Sequence, residues 1–169
     1  GTGFTSIHLG DLNPTFLEAS RARLEAAGVP TRTYVGPAHE TVVEVCTQLT
    51  RGSLNVAFLD PYDLASLPFS IVEVLSKEKR MDIITHISLH DLQRNLERYI
   101  TSSESPLDNF APGWRKSIDY ERQTPEQMRL SILNHWRASF RSLGMTAAEG
   151  VEKVTGSKGQ NLYWLAFAA

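Results

Sequence analysis

Residues 55–64 read NVAFLDPYDL. The run Leu54–Leu59 is nearly all apolar, which suits a strand buried on both faces of a parallel sheet. It ends on Asp60, Pro61 and Tyr62, so an acid, a fixed backbone and an aromatic ring follow the strand directly. Such an acid is either an ordinary strand end or a polar group held at the rim of a sheet for chemistry. The sequence on both sides decides between a lone strand and one member of a series.

Strand and helix signals alternate on both sides. Residues 4–10 read as a strand. Asn13 and Pro14 then give a cap and a first helical residue, and Gly28 ends that helix. Phe16, Leu17, Leu24 and Ala27 are expected on its core side. Thr31–Val35 is a short β-branched strand broken by Gly36-Pro37. Val42, Val45, Cys46 and Leu49 mark a second helix. Downstream of Asp60, a helix is expected over residues 68–77, a strand over Met81–Leu89, and a helix carrying Leu89, Leu92, Leu96 and Tyr99. Residues 102–124 read as a long surface excursion anchored by Phe110 and Trp114. Thr124 and Gln127 form a capping box for the next helix, with Leu133, Trp136, Phe140 and Leu143 inward. Two strand-like runs, Thr146–Thr155 and Asn161–Ala168, joined by Gly156-Ser157-Lys158-Gly159, read as a hairpin. The order predicts an α/β protein with an open, mostly parallel sheet and a C-terminal antiparallel hairpin.

Composition narrows the function. The chain has 169 residues, 41% hydrophobic and 21% charged, with a net charge of −2. That is ordinary for a globular domain and gives no global field to draw it onto nucleic acid. One domain is expected over residues 1–169. The single cysteine, Cys46, excludes an internal disulfide and a multi-cysteine zinc site, and fits a cytoplasmic protein. No apolar stretch is long enough to span a bilayer. Gly1-Thr2-Gly3 runs straight into strand-like residues without an initial methionine, so the domain is expected to continue upstream.

In open α/β sheets, ligands bind outside the carboxyl ends of the strands. That rule selects Gly10-Asp11, with Leu12 beside it, the turn Gly36-Pro37-Ala38, the stretch Asp60-Pro61-Tyr62, and Ser88. Asp11 can accept hydrogen bonds from a ribose diol, or can simply favour a helix start. The Gly36 turn can pack against an adenine ring, or be a plain turn. The Asp60 carboxylate and the Pro61 carbonyl can hold an amino group by its hydrogens while Tyr62 stacks on a planar base. His86 and His90 are four apart, but the first falls in a strand, so no metal site is expected. Ser88 lacks a nucleophile-elbow sequence. Arg94, Arg98, Arg115 and Arg122 form either a polyanion-facing rim or a solvated surface.

The stretches IHLGDLNP, NVAFLDPYDL, KRMDIITHISLHDLQRNLERY and NLYWLAFAA together carry a resemblance. They resemble a class I S-adenosylmethionine-dependent methyltransferase read from its second strand onward, and more narrowly the three-Cys-motif partner family of bacterial proteins. The resemblance implies a Rossmann-like sheet whose first strand and glycine-rich loop are missing from this chain. It implies S-adenosylmethionine as cofactor, with Asp11 on the ribose. It places Asp60, Pro61 and Tyr62 on the motif where amino-methylating relatives carry an Asp-Pro-Pro-Tyr type signature. Here the second proline is absent and Asp63 stands where the partner family usually has glycine. The implied activity is methyl transfer, and an amino group of a nucleic-acid base is the expected acceptor. The alternative is an inactive methyltransferase-like module acting with a protein partner, a three-cysteine-motif protein. An NAD-dependent dehydrogenase fits the hairpin and the Asp60 site less well. These expectations share one geometric requirement, that Asp11 and Asp60 reach the same rim of a single sheet.

Overall fold

The computed structural model describes residues 3–157, 159 and 161–169. It is an α/β protein with a small parallel sheet and a four-stranded mixed sheet. The chain divides into two compact units, Gly1–Arg51 and Gly52–Ala169.

In the first unit, β1 (Ile7–Asp11) pairs in parallel with β2 (Thr31–Val35), from Ile7 opposite Thr31 to Asp11 opposite Val35. Helix α1 (Pro14–Ala26) connects them. The Asn13 side chain accepts from the amides of Thr15 and Phe16, which satisfies two of the donors a helix start leaves open. Leu17 is buried, but Phe16 is 63% exposed, contrary to the expected core stripe. Leu17 and Leu24 are seven apart and share a face, whereas Phe16 sits ~100° round the helix from Leu17. Helix α2 (Ala38–Gln48) follows β2 and buries Thr41 and Val42.

The second unit is built on β3 (Asn55–Leu59), β4 (Met81–Ser88), β5 (Glu152–Thr155) and β6 (Asn161–Ala168), in the order β3-β4-β6-β5. The pair β3–β4 is parallel, while β4–β6 and β5–β6 are antiparallel, so the terminal hairpin forms as expected. Lys158 of its link lies outside the described residues. The strands thus make two sheets instead of one mostly parallel sheet. None of the described strands joins them, so Asp11 and Asp60 stand at the ends of strands in different sheets, and the expected common rim of a single sheet is not formed.

Side chains alternate across the four-stranded sheet. Ile83, Thr85 and Ile87 of β4, with Trp164, Ala166 and Ala168 of β6, are buried on one face. Helix α3 (Phe69–Leu75), α4 (Leu89–Thr101), α5 (Pro106–Phe110), α6 (Trp114–Ser117) and α7 (Pro125–Ser139) supply the rest of the core. Phe110 stacks on Trp136 at 5.4 Å between centroids, Trp136 meets Phe140 edge-on at 4.8 Å, and Phe140 meets Phe69 edge-on at 5.7 Å. Burying each such ring contributes ~2–3 kcal/mol. The Thr124–Gln127 capping box forms as the sequence predicts.

Two expectations change here. Strand β3 is not buried on both faces: Val56 is 52% and Phe58 60% exposed on one face, while Asn55, Ala57 and Leu59 on the other are part-buried. The excursion over residues 102–124 is not a surface loop, since it holds α5 and α6 and fully buries Leu107, Phe110 and Trp114. Arg115 pins it. Its guanidinium donates to the carbonyls of Tyr99, Ile100 and Ser102 at the end of α4 and to Asp108 at 2.8 Å, and lies over the Trp114 ring. Those carbonyls are among the acceptors that a helix end leaves open. Arg115 is therefore committed to the fold and does not line a polyanion rim.

Candidate functional site

A cluster of polar side chains lies at the carboxyl ends of β3 and β4. Leu59 pairs with Thr85, so the next residues, Asp60 and His86, continue side by side. By the two-residue period of a strand, Asp60 falls on the open face with Val56 and Phe58, and His86 falls there with Asp82 and Ile84. An Asp60 Oδ1–His86 Nδ1 hydrogen bond joins them. An ionised carboxylate can only accept, so Nδ1 carries the proton. In the neutral ring Nε2 then keeps a lone pair. From the other side, Tyr163 of β6 holds the imidazole, with ring centroids 4.1 Å apart. The His86 side chain is 22% exposed and the Asp60 side chain 62%. Asp60 Oδ2 has no partner among the described residues.

Pro61 and Tyr62 continue from Asp60. The Tyr62 ring is 91% exposed, with both faces clear of protein packing. Asp63 accepts from the amide and hydroxyl of Ser66, closing a 3-10 turn over Leu64–Ser66. Beneath this loop lies Asp91, in the first turn of α4 and 8% exposed. It accepts from the Leu64 amide at 3.2 Å, from Asn95 at 2.7 Å and from the Tyr99 hydroxyl at 2.9 Å. Burial first, and then the hydrogen bond to Asp91, push the Tyr99 hydroxyl up to about 12. Asp91 thus ties the loop carrying Asp60-Pro61-Tyr62 to a rigid helix. Ser88 caps α4 by accepting from the Asp91 amide and is not poised as a nucleophile.

The other expected residues belong to the first unit. Asp11 ends β1, and its Oδ1 accepts from the Asn13 amide at 2.7 Å, which turns the chain into α1. Its Oδ2 has no partner among the described residues. The Gly36 amide donates to the Asp11 carbonyl at 3.1 Å, so Asp11 and the Gly36-Pro37-Ala38 turn lie side by side at the ends of β1 and β2. Pro37 caps α2 and Ala38 begins it. Gly36 has φ +152°, and a Cβ there would meet Thr41 at 3.3 Å, while one at Gly10 would meet it at 3.1 Å. Both glycines let α2 approach the strand ends closely. Leu12 is exposed.

Sequence reasoning found Asp60 but not its partners. His86 was weighed only against His90 as a metal ligand, and no His, Cys, Asp and Glu cluster among the described residues can hold a metal ion. The available signal was register: parallel pairing of β3 with β4 and two-residue alternation carry His86 to the rung beside Asp60. No helix among the described residues is long and apolar enough to cross a membrane. Set against known families and curated proteins, the chain matches no family model and no curated sequence.

Proposed function

We propose that the chain is a Rossmann-like, S-adenosylmethionine-dependent methyltransferase of the cytoplasm that acts on an amino group of a nucleic-acid base. The observation that carries this reading is the end of β3, where the outward oxygen of Asp60 and both faces of the Tyr62 ring are open next to an oriented imidazole. A planar base can stack on Tyr62 while Asp60 Oδ2 and the Pro61 carbonyl accept its amino hydrogens. Holding the amine so aims its lone pair, which is catalysis by positioning. S-adenosylmethionine supplies a methyl group already activated on a sulfonium. Within the first unit, Asp11 Oδ2 can accept from a ribose hydroxyl while Oδ1 keeps its turn. Leu12 and the Gly36-Pro37-Ala38 turn are assigned the adenosine.

The test is thermal unfolding of the full-length protein against rising S-adenosylmethionine, where binding raises the midpoint once the ligand exceeds its dissociation constant. Asp11→Ala should weaken that rise. Asp60→Ala should keep it and abolish transfer to a single-stranded oligonucleotide. One observation favours a second reading, an inactive module that acts with a protein partner such as a three-cysteine-motif protein: Val56, Phe58 and Phe167 leave apolar surface on the open sheet face. An unmoved midpoint would favour this reading over the first.

A further inference from the structure

Parallel strands are ordinarily covered on both faces, because crossover helices pack there. The parallel pair β3–β4 departs from this. Ile83 and Thr85 are buried on one face, whereas Val56 and Phe58 stand exposed on the other. Register extends the open face across the sheet. Phe58 lies opposite Ile84, and Ile84 opposite Phe167, which is also exposed, so an apolar row crosses three strands. Neighbouring strands stand ~4.8 Å apart, which makes the row ~10 Å long. Ala148, Gly150 and Val151 wall an open groove of about 410 Å³ against Ile84, Leu165 and Phe167.

The charged residues of this face border the row. Two residues along the strands in one direction, Asp82 lies opposite Val56. Two residues in the other direction, Asp60 and His86 continue β3 and β4, and Leu165 lies opposite Glu152 of β5. Acids therefore stand ~7 Å from the row on both sides. Lys153 pairs with Trp164 and so belongs to the opposite face. Among the described residues of the four strands, no Lys or Arg falls on the open face. An α-helix with its side chains is ~10–12 Å across, so one laid over the row brings its margins above these acids.

We propose that the open face of the four-stranded sheet docks an amphipathic helix of a partner protein, its apolar stripe on Val56, Phe58, Ile84, Leu165 and Phe167 and its margins carrying Lys or Arg against Asp60, Asp82 and Glu152. The apolar row supplies affinity, and the acids select the partner. A second copy of the chain is disfavoured, because a self-complementary contact sets acid against acid. A helix with acidic margins meets the same repulsion, and one with uncharged margins leaves the carboxylates without partners. The inference needs neither methyl transfer nor its absence, and so goes beyond both functional readings.

The probe is a synthetic peptide of about 18 residues, with Leu at i, i+3, i+4 and i+7 spacing and Lys elsewhere. One control replaces every Lys by Glu, and another keeps the composition but scatters the Leu. Titrated into the labelled full-length protein, the Lys peptide should shift the amide signals of Val56, Phe58, Ile84 and Phe167. Both controls should bind at least about tenfold more weakly. Phe58→Thr with Phe167→Thr keeps strand propensity and should weaken the Lys peptide about tenfold. Asp82→Lys with Glu152→Lys should weaken the Lys peptide and strengthen the Glu peptide, a gain that a folding defect does not produce. Equal binding of the Lys and Glu peptides overturns the basic partner. Shifts confined to other surfaces, or unchanged affinity in the double threonine variant, overturn the docking face. A wild-type dimer joined through Phe58 and Phe167 gives the face to a second copy. A monomer that protects these residues and binds no peptide gives it to the chain itself, and either result overturns the proposal.

Discussion

Asp60 and Asp91 stand at either side of one loop and have opposite surroundings. Asp91 is buried and accepts from the Leu64 amide, the Asn95 amide group and the Tyr99 hydroxyl. Asp60 is largely exposed and shares one oxygen with His86 while the other stays open. A buried carboxylate persists only when donors replace its water, and then it fixes the elements that supply them. A carboxylate at a rim stabilises little, but it remains available to a ligand. The difference teaches that in this unit the acid that holds the loop and the acid that faces outward are separate residues. Substitution should therefore divide stability from activity between them.

The largest expected effect on stability belongs to Asp91→Ala. It strands the Leu64 amide and the Tyr99 hydroxyl in a buried setting, and should cost about 3 kcal/mol in urea unfolding. A loss below about 1 kcal/mol would break the contrast. Arg115→Ala comes next, at about 2 kcal/mol, because it frees three carbonyls and Asp108 at a site that water partly reaches. Burial pushes the Asp108 carboxyl up, but Arg115, the Ser105 amide and the Trp114 indole outweigh it and leave the group below its ordinary value. Its contribution is thus present above the unfolded carboxyl value, about 4, and is lost as pH falls through the lower folded value. Arg115→Ala should flatten that acid-side loss.

The contrast also marks what a sequence can disclose. Helices with paired local signals were legible: Asn13-Pro14 before α1 and Thr124 with Gln127 before α7 specify their own ends. The strands were legible as runs, but their partners were not. Pairing and the covering of a sheet face depend on residues distant in the chain, so β3 read as a strand buried on both faces, whereas Val56 and Phe58 are exposed. The excursion over residues 102–124 was misread because its Ser, Pro and Asp look like loop residues, and because Pro112-Gly113 interrupts the helical spacing of Leu107, Phe110, Ala111 and Trp114. For the candidate site, Asp60 announced itself by ending an apolar run. His86 and Asp91 did not, since one needs the β3–β4 register and the other lies on a polar-looking first helical turn.

A smaller effect sharpens the comparison on the buried side. Tyr99→Phe removes one donor to Asp91 and leaves the other two, so the cost should be ~1 kcal/mol at neutral pH. The pH dependence is more telling. The folded hydroxyl is pushed up to about 12 from the ordinary 10, so the folded state holds its proton longer than the unfolded state. Its stabilising contribution is complete below pH 10 and is lost as pH rises towards 12. The phenylalanine variant should lack this component, and its stability difference from wild type should shrink across that interval.

Asp60→Ala should have the smallest effect on stability, within about 0.5 kcal/mol of wild type, because the lost hydrogen bond lies at an exposed rim where water replaces it. His86 keeps its packing against Tyr163, so the strand ends have no reason to shift. The same substitution should abolish methyl transfer and leave S-adenosylmethionine binding intact. The pairing of these results is the informative part. A variant that unfolds readily would make Asp60 a second Asp91, an acid whose service is to the fold. A variant that is stable and still transfers methyl would leave the rim without a role for its carboxylate. Wild-type stability with lost transfer is the outcome that follows from an acid with one oxygen bound and one open.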